Sequence, residues 1–310
     1  MTAPRRILVT GASGFVGRHL CAALTAAYPD AALLTASVNL RDGDAVAGAV
    51  AAARPDVCVH LAAVSTLAAA RRDEDLCWDV NLHGSLRLAR GILRHAPDCQ
   101  MLFVSSADAY GGAGPLDGPI DEAVPLAPKN VYAATKAAAD LALGAMAGQG
   151  LRVVRLRPFN HTGPGQSADL VIPSFARQIA RIALGLQPPL LEVGNLDTWR
   201  DFLDVRDVCA AYVACIEHRE ALAGGTIINV GSGQSRRIGD VLTEMLALAG
   251  VAAEPRPDPS RTRTNDVARA CADAGRARAL LGWAPVWPWL RTLDDVLADW
   301  RTRVAAEAAP

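Results

Sequence analysis

Tyr132 and Lys136 stand four residues apart in VYAATKAAADLALGAM, a stretch whose alanine and leucine content predicts a helix over 131–147. That spacing puts both side chains on one helical face. A free phenol ionises near pH 10 and is a poor proton donor or acceptor at neutrality. An ammonium beside it is expected to stabilise the phenolate and bring its pKa toward the working range. Lysine suits the task as a compact point charge with three donors, able also to hold a ribose hydroxyl. Of the 31 basic residues only Lys129 and Lys136 are lysine, so a lysine one turn after a tyrosine is a distinctive feature. Lys129 has no such neighbour and reads as a solvated loop residue. Ser106, in SSADAYG, is the natural third member: a hydroxyl at a predicted strand end that can donate to a substrate oxygen, or simply cap the turn there.

The elements around these groups form an alternating series. ILVTGASGFVG at 7–17 is a short apolar strand, a glycine-rich turn and the start of a helix over 15–27. Gly11 permits the tight turn, Gly14 lets backbone N–H groups approach a pyrophosphate, and Gly17 lets the helix pack on its strand. Further apolar strands are expected at 31–38, 57–63, 100–104, 151–156 and 226–230. Helices are expected at 45–54, 74–95, 172–186 and 205–218. Near-continuous apolar strands separated by helices indicate an α/β fold with a doubly wound parallel (Rossmann) sheet. Its ligands gather at the carboxyl ends of the strands. RPFNHTGPGQ at 157–166 cannot continue a strand, so the chain leaves the sheet there. Residues 1–163, with 201–231 returning, are expected to form the dinucleotide-binding domain. Residues 164–200 and 232–310 form a smaller C-terminal substrate-binding lobe. Trp283, Trp287 and Trp289 read as core packing.

The formal net charge of −1 and the absence of long charge runs give no nucleic-acid or membrane surface. No apolar span is long enough for a membrane helix, and six residues before the first strand leave no room for a signal peptide, so a cytoplasmic protein is expected. Seven scattered cysteines without a CxxC pair read as reduced thiols, with no metal site. After the second strand come Ser37, Asn39, Arg41 and Asp42, with no clean acid for the adenosine ribose. Arg18 and Arg41 could serve a 2′-phosphate, so NADPH or NADH remains open with a lean to NADPH.

TGASGFVG, HLAA at 60–63, SSADAYG, YAATK and RDFLDVRDV, in this order, resemble the extended short-chain dehydrogenase/reductases that act on nucleotide sugars. RPFNHTGPGQ, FARQIA at 175–180 and LEVGNLDTWRDFLDVRDV at 191–208 look most like the members that reduce GDP-4-dehydro-6-deoxy-D-mannose to GDP-D-rhamnose. The resemblance implies Ser106, Tyr132 and Lys136 as catalytic residues and Asn81 as the family's structural asparagine. It implies a cofactor site of Gly11, Ser13, Gly14, Phe15, Val16, Gly17, Asn39, Leu40, Leu61, Ala62 and Ala63, besides Tyr132 and Lys136. Here Asn39 replaces the family's acid. It implies a substrate site of Ser65, Ser106, Asp108, Asn160, Arg177, Arg200 and Arg263, a GDP-linked sugar as ligand, and pairing into a homodimer or higher homo-oligomer through helices 74–95 and 131–147. The alternatives are a GDP-mannose 4,6-dehydratase, whose glutamate would fall at Asp108, a sugar 4-epimerase, and a non-catalytic dinucleotide sensor.

Overall fold

The computed structural model describes residues 3–114, 118–261 and 267–308. The chain runs β1 (Arg6–Thr10), α1 (Phe15–Ala27), β2 (Ala32–Ala36), α2 (Gly43–Ala53), β3 (Val57–His60), α3 (Leu67–Arg72) and α4 (Glu74–Trp78). A π-helical turn, Asp79–Gly84, leads into α5 (Ser85–His95), then β4 (Gln100–Val104), a 3-10 turn (Ala107–Tyr110), α6 (Val131–Met146) and β5 (Val153–Pro158). These strands, with a later one, form a single parallel sheet. The chain continues through β6 (Asn160–Thr162), α7 (Val171–Ala183), β7 (Leu190–Val193), β8 (Trp199–Asp204), α8 (Val205–Glu217) and β9 (Thr226–Val230). It ends with β10 (Ser235–Arg237), α9 (Ile238–Ala249), β11 (Glu254–Pro257), α10 (Gly275–Leu281) and α11 (Trp289–Ala308).

The strand order is β2-β1-β3-β4-β5-β9. Apolar runs suit it because both faces are covered, and the two-residue period sorts each run between two cores. Ile7, Val9, Val57, Val59, Leu102, Val154 and Leu156 face one way, against Leu20 and Leu24 of α1 and Val208, Tyr212 and Ile216 of α8. Leu8, Cys58, Met101, Phe103 and Val153 face the other, against Val46 and Val50 of α2, Leu88 and Ile92 of α5, and Leu143 of α6. The departure comes later than expected: Arg157 and Pro158 still pair with Asn229 and Val230 of β9, the segment 157–166 also supplies β6, and the chain returns to the sheet at β9. A separate core lies between α7, α9 and α11, including Phe175, Ile179, Val241, Met245, Leu297 and Trp300.

Three acids of RDFLDVRDV join these parts. Asp201 is fully buried and accepts from Ser232 N (2.8 Å), Ser232 Oγ (2.5 Å), Gly233 N (2.9 Å) and Ala272 N (3.0 Å). Asp204 caps α8 by accepting from Arg206 N, and also accepts from Thr292 Oγ1 of α11. Asp207 accepts from Val286 N and Trp287 N, fastening the turn before α11.

Several boundaries differ from the sequence reading. The helix expected at 74–95 is interrupted by the π-helical turn that carries Asn81. α3 and the small sheets β10-β8-β6 and β11-β7 have no counterpart in the sequence pattern. β3 stops at His60, which leaves Leu61, Ala62 and Ala63 as the loop at the carboxyl edge. Trp283 is buried as expected. Trp287, expected in a core, is 39% exposed and lies under the Arg206 guanidinium, 3.3 Å from ring centroid to Cζ, where Asp207 holds its backbone N–H. Among the described residues all seven cysteines are free, no helix is long and apolar enough to cross a membrane, and no cluster of side chains suits a metal ion.

Candidate active site

The turn after β1 has the shape the glycines predict. Gly11 has φ +73°, and a Cβ there would lie 2.7 Å from Ala62 N, so both conformation and space call for glycine. A Cβ on Gly17 would sit 2.2 Å from Gly11 O, inside the turn itself. α1 begins at Phe15 behind Gly14, and no side chain caps its first N–H groups. An anion on this axis would meet those donors and the positive end of the helix. Ser13 belongs to the same turn, and Phe15 and Val16 open α1. Ser13 O accepts from Arg18 Nη1 (2.7 Å), and Arg18 Nη2 reaches Gly165 O (3.1 Å), tying the glycine turn to the loop after β6. The Phe15 ring stacks with His161 of β6, centroids 6.2 Å apart.

The second-strand end is less clear-cut. Asn39 is exposed, and its Oδ1 accepts from Arg41 N at 3.1 Å. Leu40 is only 6% exposed, and a Cβ on Gly84 would come within 2.7 Å of it. It packs in the core beneath the π-helical turn, and its carbonyl accepts from Arg87 Nη1 (3.1 Å). Arg41 is paired with Asp79 (3.1 Å), which also holds Arg87 (2.8 Å). Of the two arginines considered for a 2′-phosphate, Arg18 lies at the glycine turn and Arg41 at the second-strand end, and each is already held by protein groups.

β4 delivers Ser105 and Ser106 to the carboxyl edge, and α6 brings Tyr132 and Lys136 beside it. Asn130 caps α6 by accepting from Ala133 N (2.8 Å). Ser106 hydrogen-bonds the Tyr132 phenol and also accepts from Asp108 N (3.1 Å), so the two roles considered for it coexist. Lys136 is 4% exposed; its ammonium donates to Val104 O at 2.5 Å and lies 4.9 Å from the Phe103 ring centroid. Burial draws Lys136 down to about 8, against the opposing charge of Asp140.

The phenol itself departs from expectation. Burial pushes Tyr132 above its ordinary value, the Asp108 carboxylate adds to that, and the Ser106 hydrogen bond offsets part of it. The expected lowering by Lys136 is absent because its ammonium is turned to the Val104 carbonyl. Tyr132 is thus a protonated phenol at neutrality, a form suited to giving a proton away.

Asn81, on the π-helical turn, accepts from Val64 N (2.8 Å) and donates to Val64 O (3.1 Å) and Thr135 Oγ1 (3.0 Å). It thereby holds the 61–64 loop against α6. π-helical turns recur at functional sites, and the extra residue here directs Asn81 into this gap. Beneath α6, Asp140 is fully buried and accepts from Arg155 (3.1 Å) and from two nitrogens of Arg157 (2.9 Å each). Arg157 also donates to the Tyr110 hydroxyl (3.0 Å), which donates to Asn229 (2.7 Å), so the turn carrying Asp108 rests on this network. Nothing in the residue pattern marks Asp140, since its partners come from a different strand.

The expected substrate residues divide between two cavities. Asp108, Asn160 and Arg200 line one of about 120 Å³, with Lys129 and Arg71. Ser65 is exposed on the loop after β3. Arg177 lies elsewhere, in a cavity of about 740 Å³ that also exposes Arg181, Arg256 and Arg261. Arg177 Nε is buried without a hydrogen-bond partner among the described residues, although Nη2 pairs with Glu307 (3.3 Å). Arg263 lies outside the described residues. Arg181 and Arg256 carry no signal in the sequence because arginine is this chain's ordinary basic residue.

A pattern described as "NAD dependent epimerase/dehydratase family" matches residues 7–231, which span the parallel sheet from β1 to β9. The chain belongs to this family. It is 39% identical over 306 residues to the GDP-6-deoxy-D-mannose reductase of Pseudomonas aeruginosa, covering 98% of this chain and 99% of that protein. RMD from Pseudomonas aeruginosa, solved in complex with NADPH, superposes with a TM-score of 0.88 at 36% identity, over 96% of this chain and 99% of that one. The UDP-glucose 4-epimerase of Thermus thermophilus, solved with NAD, gives a TM-score of 0.84 at 28% identity, over 96% and 99%. The family pattern ends just after β9, so the α9 and α11 packing around Arg177 lies beyond it.

Proposed function

We propose that this chain is a nucleotide-sugar 4-ketoreductase that uses NADPH or NADH, with NADPH favoured, to convert GDP-4-dehydro-6-deoxy-D-mannose to GDP-D-rhamnose. The observation that carries the reading is the Tyr132 phenol hydrogen-bonded to Ser106, one helical turn before the buried Lys136, at the carboxyl edge of the sheet that also presents the glycine turn. Its near full-length similarity to a GDP-6-deoxy-D-mannose reductase supports the substrate. The relative solved with NADPH and a neutral Asn39 where the family has an acid support the cofactor.

The residues present fit that cofactor. The missing Cβ at Gly11 and Gly17 lets the turn close on Ala62 and on its own backbone, and the uncapped start of α1 offers N–H donors to the pyrophosphate. The bound, reduced nicotinamide supplies the hydride for the sugar C4. Ser106 donates a hydrogen bond to the C4 carbonyl oxygen and polarises it, and Tyr132 transfers its phenolic proton to that oxygen. Lys136, whose ammonium donates to Val104 O at the sheet edge, would hold a ribose hydroxyl of the cofactor rather than shift the phenol. Asp108, Asn160 and Arg200 surround the sugar. Arg177, Arg181, Arg256 and Arg261 face the nucleotide end, where paired guanidinium donors suit a diphosphate.

Residues 1–163 with 201–231 then act as the dinucleotide-binding domain, and 164–200 with 232–310 as the nucleotide-sugar lobe. We propose a cytoplasmic homodimer or larger homo-oligomer, paired through α5 and α6, whose Leu141 is 59% exposed. The test is to supply GDP-mannose together with a known 4,6-dehydratase and follow added NADPH or NADH. Consumption only after the dehydratase has acted supports the reductase. Turnover of GDP-mannose by this protein alone would make it a dehydratase, and cofactor binding without either reaction would make it a sensor.

A further inference from the structure

A line of hydrogen bonds runs beneath the site, and none of the steps above uses it. Ala62 N donates to Thr10 Oγ1 (3.3 Å), and Thr10 Oγ1 is 2.6 Å from His60 Nδ1. His60 Nε2 is 3.0 Å from Ser85 Oγ, which donates to Asn81 O at 2.6 Å. The carbonyl end and the neutrality of the buried ring set the direction of the links. A backbone N–H can only donate, so Thr10 Oγ1 accepts from Ala62, which leaves its own proton available for Nδ1. A carbonyl can only accept, so Ser85 gives its proton to Asn81 O and must accept from His60 Nε2–H. The neutral imidazole therefore carries its proton on Nε2. Its surroundings agree: His60 is 1% exposed, and burial together with the Lys136 charge draws it down to about 3.

The line has a destination at each end. Thr10 is the last residue of β1 and precedes Gly11 of the cofactor turn. Asn81 continues to Thr135 Oγ1 (3.0 Å), which donates to Tyr132 O (2.8 Å), in the first turn of the catalytic helix. A buried histidine in a run of Val57, Cys58 and Val59 would be costly without partners at both ring nitrogens. Here it has both, on two separate elements.

We infer that His60 is a positioning residue which, through Ser85 and Asn81, fixes the glycine turn relative to the helix carrying Tyr132 and Lys136. The inference rests on the reductase reading for its kinetic consequence and on the geometry alone for its tautomer. Loss of the imidazole lets the two elements drift, which lowers turnover more than nucleotide-sugar binding, because a small misplacement of reacting groups costs rate.

Two measurements test it. Nitrogen NMR of histidine-labelled wild-type protein, assigned by loss of signal in His60→Gln, is expected to show His60 neutral with the proton on Nε2 from about pH 8 to about pH 5. A proton on Nδ1, or titration near the ordinary histidine value, overturns the inference. In the coupled assay, His60→Leu and Ser85→Ala are expected to lower kcat by roughly tenfold to a hundredfold with the nucleotide-sugar KM nearly unchanged. His60→Gln, which keeps a donor toward Ser85, is expected to recover part of that loss. Wild-type kcat in both His60→Leu and Ser85→Ala overturns it. If the wild type reduces no 4-keto sugar, the reductase reading fails, while the tautomer and the variants' NADPH affinity still decide the positioning. If His60→Leu does not fold, Ser85→Ala and the NMR give the answer.

Discussion

Replacing Asp140 by asparagine is expected to damage stability and catalysis together, and the two effects can be separated. Asp140 is fully buried, one turn beyond Lys136 on α6, and its carboxylate is shared by Arg155 and Arg157. The substituted amide would keep the volume but leave two guanidinium groups without a counter-charge in the interior. Removing one partner of a buried ion pair costs about 3–5 kcal/mol. For a chain of this length, at about 2 °C per kcal/mol, Tm should fall by roughly 6–10 °C. Asp140 also opposes the burial that draws Lys136 down to about 8, so its loss moves Lys136 lower still. The ammonium is the active form and is lost as pH rises. The alkaline fall in kcat should therefore begin at lower pH in the variant. Thermal melts and pH–rate profiles of wild type and Asp140→Asn measure both. An unchanged Tm and an unshifted alkaline limb would refute the placement of this carboxylate.

Gly17→Ala puts a Cβ 2.2 Å from Gly11 O, and should abolish dinucleotide binding by titration while leaving far-UV circular dichroism near wild type. Asp201→Ala strands four donors that now converge on one buried carboxylate, and should cost several kcal/mol in denaturant melts and loosen the loops after β9 and around Ala272. His60 binds its proton far less readily folded than unfolded, so its contribution to stability is present above pH 6.5 and is lost as pH falls toward 3. The stability gap between wild type and His60→Gln should narrow by about 2 kcal/mol between about pH 6.5 and about pH 5, measured by urea unfolding at each pH.

How much of the molecule is legible in its sequence depends on how local each feature is. The glycine turn, α1 and the parallel sheet are legible because each is written in consecutive residues: ILVT before three spaced glycines, VCVH, QMLFV. Tyr132 and Lys136 are legible because a helix brings residues four apart together. The π-helical turn is not, since its residues keep an ordinary helical apolar pattern and Asn81 departs from it only to reach Val64 and Thr135. β10 and β11 are three and four residues long and largely polar or proline-bearing, so no alternation marks them. The ionisation of Tyr132 runs opposite to what the spacing suggests, because spacing reports proximity to Lys136 but neither the burial nor the Val104 carbonyl that occupies the ammonium. Arg177 can be picked out by resemblance. That it faces a different cavity from Arg200 is a tertiary fact.

The most direct test of the central claim is Tyr132→Phe in the coupled assay, with NADPH affinity measured on the same preparation. Loss of the phenolic proton should lower kcat by roughly 10²- to 10⁴-fold, with cofactor binding and Tm nearly unchanged. A Tyr132→Phe protein that reduces the 4-keto sugar at close to the wild-type rate would contradict the account.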